Sequence, residues 1–484
     1  MMNRPFLAAF ATSLVMTGCA VGPNYHRPPL SPAAGYGSAT SPVSEAPQLQ
    51  LGGDVSAEWW RTFHCAALDA LVAEALNNNQ TITAARAALK AAHETVLAQK
   101  GYYFPSIQGS IQPSRQHFAE TLASPTASGD SLYTLTTSEL SISYTPDVFG
   151  SNRRQVENLV ALEEAQRFEL AAARTTLANN VVAAAVQDAS LRAQIDATNL
   201  IISDQQHILT SLRRQFQLGQ ASQADIAAQE ALLAQSEATL PPLQKQFEIN
   251  RDLLAALVGR TPSEPPSATF QLSDFASPGE LPMSLPARLV AQRPDVRMAE
   301  AQLHAASAAI GVAVAARLPN LDIEGAVGSS TLGLGVSLSN NATFWSVAAN
   351  LVQPIFEGGT LLHRQRSAEA AYDQAKAQYE TTVVGAFQNT ADTLHAIEQD
   401  SATAAAQARA RAAASHSLRI AEQQLGLGDI SPVVLMGAEQ AEAQARLALA
   451  QAQASQYQDV AALFQALGGG WWNQSGAGKG LPAP

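Results

Sequence analysis

The chain has 484 residues, enough for two or three ordinary domains. Its formal net charge of -12 at pH 7 argues against a nucleic-acid partner, because the phosphate backbone selects basic surfaces. There are only two cysteines, Cys19 and Cys65. If Cys19 carries a lipid, no intramolecular disulfide can form, and Cys65 is expected to be a small buried residue.

Residues 1–18 have the pattern of a secretion signal: a basic start, then an apolar run at 6–16 that is too short to span a bilayer. Gly18 and Cys19 follow, which places the cleavage between them. The junction favours a bacterial lipobox, in which Cys19 becomes the mature N-terminus and takes diacylglycerol and an N-acyl chain. An ordinary signal with an incidental cysteine is the alternative. Ala20 follows where aspartate would favour the inner membrane, so we expect the outer membrane.

An internal duplication organises the rest of the chain. Residues 19–60 are rich in Pro, Ser, Gly and Ala and predict an extended lipidated tether. Two similar halves, 61–260 and 287–470, are joined by a Pro-rich linker at 261–286, and 471–484 form a C-terminal tail. The matching positions include Ile82 and Val296, Leu89 and Leu303, Pro105 and Pro319, and Gly259 and Gly468.

Each half has the same order of elements: a helix, a β-hairpin, a very long helix, a tight turn and a further helix. At 1.5 Å per residue the long helices are each roughly 100 Å long, more than one globular core can accommodate. Their apolar residues return at sevens, which is coiled-coil spacing. After the first helix of each half, the predicted elements are hairpin 104–149 and helices 152–217 and 222–258, and then hairpin 318–357 and helices 360–425 and 431–467.

The hairpin strands alternate in polarity. In the first strand Ile107 and Ile111 share one face, and Ser106 and Gln108 share the other. This pattern is typical of a membrane β-barrel, although a half-buried soluble sheet gives the same alternation. Because no further run of about 18 apolar residues follows the signal, we expect any membrane span to consist of strands. The other apolar faces are formed by Leu140, Ile142, Tyr144, Leu321, Ile323, Val327, Trp345, Val347 and Leu351.

Strand counting predicts the assembly. Four strands cannot close into a barrel, and exposed strand edges are not tolerated in hydrocarbon. Two copies would give an eight-stranded barrel, and side chains fill the interior of a barrel of that size. Three copies give twelve strands and leave room for solutes. The predicted fold is therefore an α+β membrane protein. It is a homotrimer with a twelve-stranded β-barrel, four strands per chain, continued by a barrel of long antiparallel coiled-coil helices.

Five short motifs identify a family. They are "VGPNYHRP" after Cys19, "EWWRTF", "RPDVRMAEAQL", "PIFEGG" and "ALGGGWW". In these residues the chain resembles the outer-membrane factors (TolC-like) of tripartite efflux pumps, in the OprM and NodT branch of lipoproteins. The resemblance implies a passive, lipid-anchored duct in the outer membrane that extends into the periplasm and exports small molecules such as drugs. It also implies two partners, a periplasmic adaptor and an inner-membrane RND-type transporter.

The resemblance further implies a periplasmic gate at the two hairpin turns, "QLGQAS" and "GLGDIS". The gate candidates are Asp429 and Asp225. The family's aspartate commonly lies one place later, where this chain has Ile430, so a solvated turn or N-cap residue is an equal alternative for Asp429. For Asp225 the favoured interpretation is an ordinary first-turn acid, stabilised by the helix dipole. The tips that would meet the adaptor are Leu218, Gly219, Leu427 and Gly428.

Other classes of function fit the sequence less well. The nine histidines are scattered, and we find no helical zinc motif, nucleophile elbow or phosphate loop, which argues against an enzyme and predicts no cofactor. A structural coiled-coil lipoprotein would explain the helices but not the strands. A duct that secretes proteins or peptides is an alternative function. The resemblance implies that the transporter selects the cargo and that this component is a duct.

Overall fold

The computed structural model describes residues 20–28, 48–117, 119, 129–276, 278–283, 291–336, 339 and 341–473. The predicted signal peptide and Cys19 lie outside the described residues. The helices are α1 (Ala66–Asn78), α2 (Gln80–Lys100), α3 (Ser151–Gln217), α4 (Gln223–Leu257), α5 (Pro294–Ala315), α6 (Thr360–Leu427) and α7 (Pro432–Ala466). The strands are β1 (Gln48–Leu51), β2 (Ser106–His117), β3 (Leu132–Tyr144), β4 (Glu280–Met283), β5 (Asn320–Leu332) and β6 (Thr343–Val352).

The chain divides into two compact units. The first unit contains Leu89–Ala165, Ala299–Tyr379 and the described residues up to Pro28. The second contains Gln166–Met298 and the described residues of the remaining segments. Each unit draws on both halves of the duplicated sequence, so the repeat boundaries remain a prediction.

The first unit holds a four-stranded antiparallel sheet in the order β2-β3-β5-β6. Its register places Ile107 beside Ile142, Ile142 beside Gly325, and Gly325 beside Val347. Because side chains alternate between faces, this row and its neighbours form one apolar face. That face is open: Val347 is 73% exposed and Trp345 77% exposed. Within the described chain, β2 and β6 each have only one neighbouring strand.

One described helix, α5, is long and apolar enough to cross a membrane by length and composition alone. From the sequence, no such stretch was expected after the signal. A single helix of this kind is weak evidence for a span, because core helices pass the same test. Two contacts show how α5 packs: Leu303 is fully buried, and Glu300 accepts an ion pair from Arg27 over 2.7 Å.

Aromatic side chains pack against one another in the core of the second unit. Trp59 is 1% exposed and stacks on Phe464 with 5.1 Å between ring centroids. Phe63 meets Tyr457 edge to face at 6.1 Å. Aliphatic residues of α1, α3 and α7 complete the cluster. Cys65 is buried here as a free thiol, as predicted.

A two-stranded parallel sheet, β1 with β4, lies in the second unit and was missed by the sequence analysis. It pairs the predicted tether with the predicted linker. Each strand has four residues, too few to show a periodicity of two. A short 3₁₀ helix, Trp59–Phe63, also begins inside the predicted tether.

Candidate functional site: the helix turns and the open sheet

The α3–α4 turn is built around Gly219. Its φ of +76° lies in the left-handed region, which glycine adopts without strain. The backbone N–H of Gln220 donates to the carbonyl oxygen of Gln215 over 2.8 Å, the six-residue closure of a Schellman motif. The turn holds Leu218 outward, with 67% of its surface exposed.

The α6–α7 turn has the same backbone structure. Gly428 has φ +80°, and the N–H of Asp429 donates to the carbonyl oxygen of Gln424 over 2.9 Å. Leu427 is 78% exposed. The four predicted tip residues therefore occupy equivalent positions in two like turns, although their role toward an adaptor stays a prediction.

Asp225 lies in the first turn of α4, where it closes a capping box with Ser222. Its carboxylate accepts from the backbone N–H of Ser222 over 2.9 Å and from the hydroxyl over 2.8 Å. The Ser222 hydroxyl oxygen accepts from the N–H of Asp225 over 3.2 Å. The backbone hydrogen bond, then the hydroxyl one, lowers the pKa of Asp225 below its usual value. The carboxylate is thus committed to the helix end, which supports the first-turn interpretation.

Asp429 lies exposed in the second turn. Its carboxylate makes no hydrogen bond or ion pair with any residue that the structure describes. The N-cap of α7 is Ser431, with Pro432 following, so Asp429 does not cap the helix. Of the interpretations raised from the sequence, the solvated turn residue and the gate residue remain.

Apolar side chains surround both turns. A small apolar cluster includes Leu212 of α3, Ile226 of α4 and Met436 of α7. It packs α7 against the helix pair α3–α4. An ion pair of 2.8 Å between Arg213 and Glu230 joins α3 to α4. Three further large apolar residues near the turns are exposed, and the sequence analysis did not single them out: Phe216, Val433 and Val434.

A group of acidic side chains lies among α3, α6 and α7. Burial, followed by the charges of Asp204 and Glu422, raises the pKa of Glu439 to about 7. Its neighbour Glu442 is 7% exposed and pairs with Arg446 over 2.8 Å. The seven-residue periodicity of the sequence could not predict this group, because it locates apolar positions and not buried carboxylates.

The polar face of the sheet borders a cavity of about 860 Å³ at the end of the strands in the first unit. Ser106, Ser143 and Asp322 line it from the strands, and Gln99 and Asn152 line it from the helices. Such a surface suits water and solutes. Within the part of the chain that the structure describes, no group of three or more His, Cys, Asp or Glu side chains is placed to hold a metal ion.

The family profile "Outer membrane efflux protein" matches residues 71–260 and 285–469. The chain belongs to this family. The resemblance drawn from the sequence motifs is thereby confirmed, and the protein is an outer-membrane efflux protein.

Similar proteins span nearly the whole efflux protein. The pyoverdine export outer membrane protein OpmQ of Pseudomonas putida is 28% identical, with 91% of this chain and 93% of the relative covered. The probable efflux pump outer membrane protein TtgC of the same species is 28% identical, with 98% and 97% covered. Nodulation protein T of Rhizobium leguminosarum bv. trifolii is 26% identical, with 95% and 96% covered.

Solved structures show the same fold. The outer-membrane channel OprN has a TM-score of 0.83 at 26% identity and covers 94% of this chain and 100% of its own. VceC of Vibrio cholerae has a TM-score of 0.78 at 25% identity, with 86% and 100% covered. The efflux protein thus has the fold of an outer-membrane channel.

Proposed function

We propose that this efflux protein is the channel component of a tripartite RND-type system, a passive duct that carries small molecules from a transporter and adaptor to the exterior. Two relatives are named for such cargo, a toluene efflux and an antibiotic efflux outer membrane protein of Pseudomonas putida. The long paired helices of three chains form the periplasmic tunnel, and the strands cross the membrane.

The open sheet is the observation that carries this proposal. Its apolar face is exposed, and the outer edges of β2 and β6 have no described neighbour. In a bilayer each unpaired backbone N–H or C=O group costs several kcal/mol of free energy, so both edges need partners. Three copies joined edge to edge supply twelve strands and a closed ring. The open sheet edges, together with the need for an open interior, support a homotrimer.

In this proposal one face of the sheet contacts lipid and the other lines the lumen of the barrel. The apolar row through Ile142 and Val347 faces the hydrocarbon. The opposite row pairs Gln108 with Ser141 and places Ser346 beside Ala326, and it faces water. A duct lined with small polar groups passes solutes without binding them tightly, which suits a component whose transporter selects the cargo.

The turns face the periplasmic partners in this proposal. Leu218, Gly219, Leu427 and Gly428 contact the adaptor, because exposed leucines on a rigid turn favour burial against another protein. Three Asp429 carboxylates, one from each chain, lie around the axis of the entrance and narrow it. Asp225 stands beside it with its carboxylate already held by Ser222.

A lipid on Cys19 completes the anchoring. The segment that follows Cys19 is held in the first unit: the N–H of Val21 donates to the carbonyl oxygen of Phe149 over 3.1 Å, and Arg154 donates back to Val21. Phe149 lies shortly after the end of β3, so the lipid-bearing end begins near the foot of a membrane hairpin. Outer-membrane lipid is the expected environment of the acyl chains.

Native mass spectrometry and planar-bilayer recordings of detergent-extracted protein test the proposal together. We expect a homotrimer that forms discrete channels and restores drug resistance in a strain that lacks only its own efflux channel. A monomer that retains its β-structure, or a dimer with an open channel, would contradict the architecture. Restored secretion of a protein substrate without drug resistance would favour the peptide or protein duct.

A further inference from the structure

A cavity of about 220 Å³ in the second unit is not used by the proposed duct. One face of α3 lines it, through residues at helical spacing that include Arg167, Ala171 and Arg174. Trp60 and Trp471 line it as well. The cavity therefore combines an arginine-bearing helix face with aromatic walls.

The aromatic walls are fixed by their own contacts. Trp60 is 6% exposed and meets Trp59 edge to face, with 5.9 Å between ring centroids. The indole N–H of Trp471 donates to the carbonyl oxygen of Gln292 over 2.7 Å. Gly469 has φ +69°, and a Cβ there would lie 2.4 Å from a methyl carbon of Thr175, so the backbone approaches α3 closely. A site with rigid walls loses little entropy when a ligand enters.

The arginines of this cavity lack counter-charges. Neither Arg167 nor Arg174 forms an ion pair with any carboxylate in the described residues. The Nε of Arg174 is buried without a hydrogen-bond acceptor. Burial, and then the charge of Arg86, lowers the pKa of Arg174. A half-buried guanidinium that has no carboxylate partner among the described residues is unfavourable unless an anion pairs with it.

We propose that this cavity is a binding site for a small aromatic carboxylate, whose anionic group pairs with Arg174 while its ring lies among the tryptophans. A guanidinium donates two parallel hydrogen bonds to a carboxylate, and offset or edge contacts with indoles favour a flat ring. Drug-sized ligands occupy about 300 to 1,000 Å³, so this cavity takes a molecule of one or two rings rather than a lipid or a peptide. The proposal is independent of the duct function.

Isothermal titration of the full-length protein in detergent tests the site, with 2-naphthoate as the probe and uncharged 2-naphthamide as its isostere. We expect naphthoate to bind at least about tenfold more tightly than the amide, because a charge-assisted pair to a half-buried arginine is lost in the amide. Arg174→Gln should weaken naphthoate binding by a similar factor and leave amide binding unchanged. Arg366→Gln, at an exposed arginine of the first unit, is the matched control and should change neither.

Two further variants guard against misfolding. Arg167→Gln alters an exposed side chain and should also weaken naphthoate binding. Ala171→Phe keeps both arginines but fills the cavity, and should abolish binding of naphthoate and amide alike. Equal binding of acid and amide, no binding at millimolar concentration, or equal losses in Arg174→Gln and Arg366→Gln would each overturn the proposal. So would a trimer that excludes the probe because a second copy covers the cavity.

Discussion

The guanidinium Nε of Arg154 donates a hydrogen bond to the backbone carbonyl oxygen of Val21 over 2.9 Å. The arginine is 4% exposed and also donates to the side-chain oxygen of Asn24 over 2.9 Å. A Cβ on Gly22 would lie 2.4 Å from the Cα of Gly311, so this segment lies directly against the backbone of α5. The chain just after the predicted lipid site is thus an integral part of the first unit.

Arg154→Ala should therefore destabilise the first unit by about 3 kcal/mol, because the carbonyl oxygen of Val21, the side-chain oxygen of Asn24 and the carboxylate of Glu157 all lose a buried, charged donor. Thermal unfolding of the detergent-extracted protein would show a lowered melting temperature, and residues 20–28 would become sensitive to protease. Lys90→Ala, at an exposed position of α2, is the control. Equal melting temperatures for the two variants would contradict the role given to Arg154.

Glu439 predicts a pH dependence in the second unit. Its pKa in the folded protein is about 7, above its usual value of 4.5, so the folded state holds an extra proton between these values. Stability contributed by this group is therefore lost as pH rises from about 4.5 to 7. Asp204 faces it from α3 and Glu422 from α6, while Glu442 and Arg446 lie on its own helix.

Glu439→Gln should accordingly raise the melting temperature relative to the unmodified protein at pH 8, with little difference at pH 4. Glu380→Gln, at an exposed position of α6, is the control. Its melting temperature should differ from that of the unmodified protein by the same amount at both pH values. A constant difference between Glu439→Gln and the unmodified protein from pH 4 to pH 8 would rule out titration of Glu439.

Ser222 and Ser431 offer a matched pair of helix caps. Ser222 accepts a hydrogen bond from the N–H of Asp225, whereas the side chain of Ser431 makes no capping bond. Ser222→Ala should cost about 1 kcal/mol, which corresponds to roughly fivefold faster hydrogen exchange in the first turn of α4. Ser431→Ala should leave exchange in α7 nearly unchanged. Similar acceleration in both helices would argue against a capping box in solution.

Asp429→Ala should raise single-channel conductance if three Asp429 carboxylates narrow the entrance. The side chain is exposed and has no described partner, so its removal should leave folding intact. Asp252→Ala, at an exposed position of α4, is the control. Unchanged conductance in a correctly assembled trimer would make Asp429 a solvated turn residue.

Adjacent residues of β6 test which face of the sheet meets lipid. Val347→Arg places a charge on the apolar face and should cost about 2 to 4 kcal/mol per chain near the middle of the bilayer, and so prevent insertion. Ser346→Arg places the same side chain on the polar face, and should insert while reducing conductance. Outer-membrane fractions assayed for heat-modifiable trimer would distinguish them. Normal insertion of Val347→Arg would refute the assignment of the two faces.

Sequence periodicity anticipated the regular elements because each pattern is local. Seven-residue spacing predicted long helices at 152–217 and 360–425, and the structure has Ser151–Gln217 and Thr360–Leu427. Alternation likewise placed Ile107 and Trp345 on exposed apolar faces. The pairing of β3 with β5, which places Leu140 beside Val327, joins the two halves of the chain and has no local pattern.

The candidate sites show the same division. Glycines at 219 and 428 were identifiable, because a left-handed turn between helices requires them. Three other features could not be identified from the sequence, because each depends on which distant side chains meet. They are the hydrogen bonds from Arg154 to residues 21–24, the raised pKa of Glu439 and the cavity at Arg174. An arginine or glutamate on a helix has the same appearance in sequence whether solvent or a buried neighbour faces it.

Because of the two open edges of the sheet, assembly of the newly exported chain competes with aggregation and degradation. Until β2 and β6 find partners, each can pair with any extended segment, and such edges promote aggregation. In the proposed homotrimer, closure of the ring needs two encounters between chains, so its rate rises steeply with the local concentration of subunits, whereas the degradation rate of a single chain does not. Abundance at the membrane should therefore respond more than proportionally to expression, with a threshold below which most chains are lost before a ring can form.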